Sequence, residues 1–226
     1  MNIINKKYRN LDIYNTEFKA AEPFPHLVLD DFLDHSFFQN LFIEDIKPDK
    51  KIGSTFNTDI ETNKWTSKNV ELNGGISKIV KELYDSRFVY QLSKLSGISD
   101  LFSTNVGNTA LANYHEMYES GFLGTHVDHS SEPDTGLPHV LNIILYLTKD
   151  WDLSWGGSTV FANKNGRKIE KKIDFVPNRA VIFLHSPFTF HGVSKIQNNK
   201  TKRSTIYVDY YSKNKSPYTH LNLNFK

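Results

Sequence analysis

From Asn105 to Tyr211 the chain falls into short apolar runs with period-two alternation, separated by Gly, Pro and Asn. Alternation of that period puts one set of side chains on each face of a strand, and several short strands in series close into a sandwich or barrel. The runs Thr109–Met117, His139–Leu147, Ser158–Ala162, Lys168–Phe175, Ala180–Leu184 and Arg203–Tyr211 are the predicted strands. Asn165-Gly166 is a hairpin turn signal, because both residues tolerate the positive φ that a tight two-residue turn needs. The Lys-rich stretch Lys164–Lys172 around it reads as a solvated hairpin tip.

The preceding part is patterned differently. Residues 1–22 read as a polar, irregular extension. Pro23–Asp30 reads as a strand, with its prolines at the start where they are tolerated. Asp34 is an N-cap for a helix carrying Phe37, Phe38, Leu41, Phe42 and Ile46 at helical spacing, ended by Lys47-Pro48. Asp49–Asn73 has little periodicity and is expected to be a long loop with one short strand, in the position of a lid. A helical region follows Gly74-Gly75, with Ile76, Ile79, Val80 and Leu83 on one stripe and Phe88, Val89, Leu92 and Leu95 on the next, closed by Gly97. The expected class is α+β: a double-stranded β-helix (jelly roll, cupin-like) core with N-terminal helices packed outside. With no repeat or linker, residues 1–226 are expected to form one domain: extension 1–22, strand and helical buttress 23–104, jelly-roll core 105–212 and tail 213–226.

Composition narrows the chemistry. Lys+Arg 27 against Asp+Glu 25 leaves a net charge of +2, which gives no electrostatic footprint for nucleic acid or an anionic membrane. The chain has no cysteine, so disulfides, thiolate metal sites and cysteine nucleophiles are excluded. A metal must be held by His and carboxylates. Met1–Lys7 lacks the apolar stretch of a secretory signal, and no apolar run is long enough to span a bilayer, so a cytoplasmic location is expected.

Three features of the strand region belong together. His126-Val127-Asp128 offers two ligands two residues apart, on one face of an extended segment. His191 is a distant third. Two His and one carboxylate on one face, with open positions opposite, make the facial triad of non-haem Fe(II) oxygenases. Arg203 stands in the apolar strand Ser204–Val208, and a guanidinium directed into a barrel calls for an anion that it can take bidentately.

In these residues the chain resembles the Fe(II)- and 2-oxoglutarate-dependent oxygenases, in the prolyl-hydroxylase-like branch. Gly121–Asp128 looks like the family's lead-in to its first two iron ligands, and Leu141–Trp151 resembles its strand ending in Tyr-Leu-Asn-x-x-Trp. Trp155-Gly156-Gly157-Ser158 is similar to the following Gly-Gly turn. Asn178–Phe183, then Phe190-His191-Gly192 and Arg203-Ser204-Thr205, continue the likeness, and Pro23-Phe24-Pro25-His26 resembles a common entry to this branch. The likeness covers most of residues 23–212 and is most specific over 114–211. Thr148 departs from it, where the family often has Asn.

The resemblance implies that His126, Asp128 and His191 hold Fe(II), leaving positions for 2-oxoglutarate and dioxygen. It implies that Arg203 and Tyr146 bind the distal carboxylate of 2-oxoglutarate, with ascorbate an accessory reductant. By alternation Thr205 shares the strand face of Arg203 and adds a hydroxyl, and Asn142 faces inward with Ile144 and Tyr146, either lining the pocket floor or hydrogen-bonded to a neighbouring strand. The expected reaction hydroxylates an unactivated C–H bond while the co-substrate becomes succinate and carbon dioxide. The presence of Asp128 favours hydroxylation over halogenation, since Ala or Gly there would open a halide site. The substrate is a prolyl residue in a peptide or, alternatively, a free amino acid, sugar or other small metabolite. A cupin-like metal-dependent isomerase or hydrolase and a non-catalytic binding protein are the readings from other classes. Pocket walls are expected from Asp49–Asn73 and from a flexible loop, Ser130–Pro138. His115 is a pocket-lining residue by the resemblance. His129 faces away from Asp128, and His139 and His185 are structural.

Overall fold

Side-chain alternation on three central strands divides the protein into two layers. In the computed structural model, which describes residues 3–41, 53–67, 74–104, 113–197 and 200–214, these are β6 (His139–Tyr146), β9 (Ala180–Leu184) and β11 (Arg203–Ser212). Leu141, Ile143 and Leu145 of β6, Ile182 and Leu184 of β9, and Ile206, Val208 and Tyr210 of β11 enter one core against the helices. The intervening Ile144, Tyr146, Val181 and Phe183 enter a second core inside the curled sheet with Phe24, Phe161, Ile173 and Phe175. Both faces of β6 are buried, which explains its near-continuous apolar run.

The remaining strands are β1 (His26–Leu29), β2 (Gly53–Phe56), β3 (Glu61–Ser67), β4 (Leu101–Phe102), β5 (Tyr114–His126), β7 (Thr159–Ala162), β8 (Ile169–Ile173) and β10 (His191–Val193). The main path runs β1-β9-β6-β11-β5-β10-β7-β8, with every pairing antiparallel; β2–β3 joins through β5 and β4 through β11. The curled antiparallel sheet with helices on its outside is the expected double-stranded β-helix.

Helix α3 (Gly74–Tyr84) buries Ile76, Ile79, Val80 and Leu83, and α4 (Ser86–Ser96) buries Phe88, Val89, Leu92 and Leu95. Burial of each large apolar side chain contributes about 1.5–3 kcal/mol, and isolated helices of this length are marginal in water; packing on the sheet sustains them. The apolar stripes are broken into two helices at Asp85, whose side chain accepts from Arg87 N at 2.9 Å. Gly97, at φ +81°, closes α4 as expected.

Four expectations change. The first 22 residues are not irregular: α1 (Asn15–Ala20) and two short 3-10 turns, Lys6–Tyr8 and Asp12–Tyr14, bury Ile4, Tyr8, Leu11 and Phe18 in the helix-side core. The segment after it is held by Asn178, which accepts from Leu33 N (2.9 Å) and donates to Leu33 O (3.0 Å). The helix capped by Asp34 is short, α2 (His35–Gln39), with Leu41 buried beyond it; Phe42, Ile46 and Lys47-Pro48 lie outside the described residues. The expected loop 49–73 holds the hairpin β2–β3, because β3 pairs with β5 and completes its hydrogen bonds there; residues 49–52 and 68–73 lie outside the described set. Ser130–Pro138 is a knitted turn, not a flexible loop: buried Glu132 accepts from Asp134 N and from Thr135 N and Oγ1.

The strand expected at Thr109–Met117 begins within the described residues at Tyr114 and runs on to His126. Residues 109–112 and most of the expected tail, 215–226, lie outside them. Among the described residues no helix is long and apolar enough to cross a membrane.

Candidate metal and co-substrate site

His126 and His191 are direct cross-strand partners on β5 and β10, so the sheet's own register brings two distant histidines together. Their rings lie 4.6 Å apart. Asp128 follows just beyond the end of β5, with Oδ1 3.2 Å from His126 Nε2 and Oδ2 3.1 Å from His191 Nε2. Each histidine turns Nδ1 to a backbone carbonyl, His126 to Gly124 O (2.9 Å) and His191 to Thr189 O (3.2 Å). Donation there leaves Nε2 as the nitrogen facing Asp128, which is the usual orientation of a metal-binding imidazole. Burial opposes ionisation of Asp128, but the two histidines hold its carboxyl well below the ordinary carboxylate range. The three ligand atoms lie within 4.8 Å of one another. A site of two imidazoles and one carboxylate suits divalent iron with open positions.

Tyr207 was not expected here, and its hydroxyl reaches Asp128 Oδ2 at 2.6 Å. Burial and the neighbouring carboxylates keep the phenol protonated, with its pKa well above the ordinary value, so it donates. The sequence held the signal: Tyr207 alternates with Arg203 and Thr205, so all three share one face of β11. Lys64, from β3, reaches the same cavity and pairs with Glu61 at 2.9 Å. Lys64 carries no motif of its own, but it lies in Asp49–Asn73, the segment expected to supply a pocket wall.

At the other end of the cavity Arg203 is 3% exposed. Its Nε donates to Gly157 O at 2.7 Å and its Nη2 lies 3.5 Å from Thr159 Oγ1. The guanidinium sits over the rings of Phe175 (5.0 Å) and Tyr146 (5.3 Å). Burial pulls it down to about 10, still charged at neutral pH. Among the described residues no carboxylate pairs with it. A buried cation without a counter-charge is costly, and a carboxylate ligand would relieve that cost.

The other expected residues are distributed as follows. Thr205 lines the cavity, and His115 does too, stacked on Tyr207 at 5.8 Å. The Tyr146 hydroxyl donates to Thr159 Oγ1 at 2.6 Å, beside the guanidinium. Asn142 is fully buried behind Asp128, not on the cavity floor; its amide lies 3.1 Å from the Tyr207 hydroxyl and reaches Asp209 Oδ1 at 3.2 Å. His185 Nδ1 donates to His139 O (2.9 Å), and burial lowers its pKa to about 4.

Residues 110–208 match the family model of the 2OG-Fe(II) oxygenase superfamily. None of the curated proteins matches in sequence. Among solved structures, the fold is similar to a prolyl hydroxylase from Trichoplax adhaerens in complex with a hypoxia inducible factor oxygen degradation domain peptide fragment. That likeness has a TM-score of 0.61 at 15% identity, over 92% of this chain and 91% of that one. A Pseudomonas putida prolyl-4-hydroxylase gives 0.63 at 13% identity, over 90% and 100%. HygX from Streptomyces hygroscopicus, with nickel and 2-oxoglutarate bound, gives 0.57 at 9% identity, over 93% and 88%. Residues 110–208 are therefore a 2OG-Fe(II) oxygenase domain, in a chain of prolyl-hydroxylase-like fold. The family of that domain, the 2-oxoglutarate-dependent iron oxygenases, implies Fe(II), 2-oxoglutarate and dioxygen as cofactor and co-substrates. The isomerase, hydrolase and binding-protein readings gain no support.

Proposed function

We propose that the protein hydroxylates a prolyl residue of a peptide, with His126, Asp128 and His191 holding Fe(II). The buried guanidinium of Arg203, which has no carboxylate partner among the described residues and shares a cavity with the triad, carries this reading. Iron bound there supplies the oxidising chemistry that couples 2-oxoglutarate decarboxylation to C–H hydroxylation. The protein's own residues bind and orient. Arg203 takes the distal carboxylate of 2-oxoglutarate, with Tyr146 and Thr205 beside it. Tyr207 fixes the Asp128 carboxylate, and Met117, Leu123 and Val193 give the cavity an apolar wall that excludes water. The similar prolyl hydroxylases support the choice of proline.

A second reading, the same chemistry on a free amino acid or another small anionic metabolite, is favoured by Lys64. Its ammonium lies in the cavity wall with Glu61 at its side, an arrangement able to read a zwitterion. The anaerobic protein with Fe(II) and 2-oxoglutarate is expected to show a weak visible charge-transfer band that His126→Ala abolishes. A folded, metal-loaded protein with no band would overturn the oxygenase assignment of these residues. A succinate-release screen over proline peptides, amino acids and sugars, read by mass spectrometry for one added oxygen, separates the two substrate readings.

A further inference from the structure

Outside the triad, a second group of side chains repeats its construction. His139 opens β6, Asp209 stands on β11 in register with Asn142, and His129 lies on the segment immediately after Asp128. His139 Nδ1 faces His129 O at 2.9 Å, as the Nδ1 atoms of His126 and His191 face Gly124 O and Thr189 O. The Nδ1–H is thereby committed, and Nε2 faces Asp209 Oδ1 at 3.1 Å. The other carboxylate oxygen, Oδ2, lies 3.7 Å from His129 Nε2. One ligand atom from each residue falls within 4.8 Å of the others, as in the triad.

Without an ion, Asp209 favours the protonated form of His139, whose Nε2 then donates to the carboxylate, while 3.7 Å is too long for a hydrogen bond between His129 and Asp209. A divalent cation among the three would take the place of that proton and bring His129 onto the same carboxylate. With metal–nitrogen and metal–oxygen distances near 2.0–2.2 Å, tetrahedral ligand edges are about 3.3–3.6 Å, and the observed 3.1 and 3.7 Å bracket that range. His139 and Asp209 are buried, while the His129 side chain is 41% exposed, which provides an entry path and an open position for water. The neighbours are polar: the Tyr211 hydroxyl lies 3.1 Å from His129 Nε2. The Asn142 amide touches His139 Nε2 and must withdraw from it when an ion enters; Tyr207 at 3.1 Å offers it another partner.

We propose that His129, His139 and Asp209 form a second divalent-metal site, suited to a borderline ion such as Zn(II). An ion there ties the segment carrying Asp128 to β6 and β11, so its role is to hold the iron-binding loop rather than to react. The site does not depend on which substrate is hydroxylated.

The test is to titrate the metal-free full-length protein with Zn(II) and count tightly bound metal after dialysis. The expected result is two ions per chain in the wild type and one in His126→Ala/His191→Ala. His129→Ala, whose side chain is at the surface, keeps its fold by circular dichroism and binds the second ion at least tenfold more weakly. In the double variant, Zn(II) raises the melting temperature, and adding His129→Ala removes that rise. Saturation of the wild type at one ion overturns the proposal. So does a second ion held by His129→Ala with unchanged affinity, which would mark it as adventitious.

Discussion

The Tyr207 hydroxyl donates to Asp128 Oδ2 at 2.6 Å, from a ring stacked on His115. Polar groups behind a metal ligand orient it, and their loss typically lowers metal affinity by about 10–100-fold. Tyr207→Phe keeps the ring and removes only the donor. We expect Fe(II) or Co(II) affinity to fall within that range with the melting temperature nearly unchanged, measured by titration of the metal-free protein.

Arg203→Met should separate co-substrate binding from folding. The guanidinium has the Gly157 carbonyl, the Thr159 hydroxyl and two ring faces, but among the described residues no counter-charge. Replacing a buried charge by a flexible apolar side chain is often neutral or stabilising. The unliganded variant is expected to keep or exceed wild-type stability while its 2-oxoglutarate affinity drops by about 100-fold, since charge-assisted hydrogen bonds contribute about 1.5–3 kcal/mol each. Thermal shift reads both: 2-oxoglutarate raises the wild-type midpoint and leaves the variant's unchanged.

The turn at Gly166 supports two of the proposed ligands at once. Its carbonyl accepts from Thr125 Oγ1 at 2.7 Å, one residue before His126. A Cβ there would meet the ring of Phe190, one residue before His191, at 2.6 Å, with φ at +72°. A non-glycine residue in that conformation costs about 1–2 kcal/mol before any clash. Gly166→Ala should lower stability by about 1–3 kcal/mol in urea melts, and metal affinity should fall with it as Phe190 moves.

Asp30 and Arg179 form a bidentate pair, Nε to Oδ1 at 2.6 Å and Nη2 to Oδ2 at 3.1 Å. The Arg179 hydrogen bonds hold the Asp30 carboxyl below its ordinary value of 3.8. A carboxyl depressed on folding stabilises the native state above its unfolded pKa, and that contribution disappears as pH falls through the folded value. Asp30 is largely exposed, so Asp30→Asn is expected to cost only about 0.5–1 kcal/mol near neutral pH. Denaturant melts should show the difference from wild type closing below 3.8.

The convergence of the proposed triad was legible because His126 and Asp128 sit two apart at the end of a strand and because His191 and Arg203 follow in strand-like segments. Tyr207 was equally legible by alternation from Arg203. Lys64 was not: Glu61–Ser67 is polar for most of its length, and its strand character comes from pairing with β5, a context that local propensity does not encode. Asn142 was placed on the correct face of β6, but alternation gives direction without depth, and the residue stops short of the cavity behind Asp128. The N-terminal segment carried its own signal: Ile4, Tyr8, Leu11 and Phe18 recur at near-helical spacing among polar residues. Their number was too small to stand out until the core they enter was visible.

The cavity wall that contains Lys64 belongs to a hairpin joined to the sheet by the β3–β5 ladder. His126, His191 and Arg203 stand on β5, β10 and β11, and Asp128 follows β5 directly. If Lys64 reads the substrate as proposed, recognition and oxidation are borne by pieces of chain that can drift at different rates. Substitutions along 53–67 would then admit a new molecule while the proposed iron ligands stay as they are.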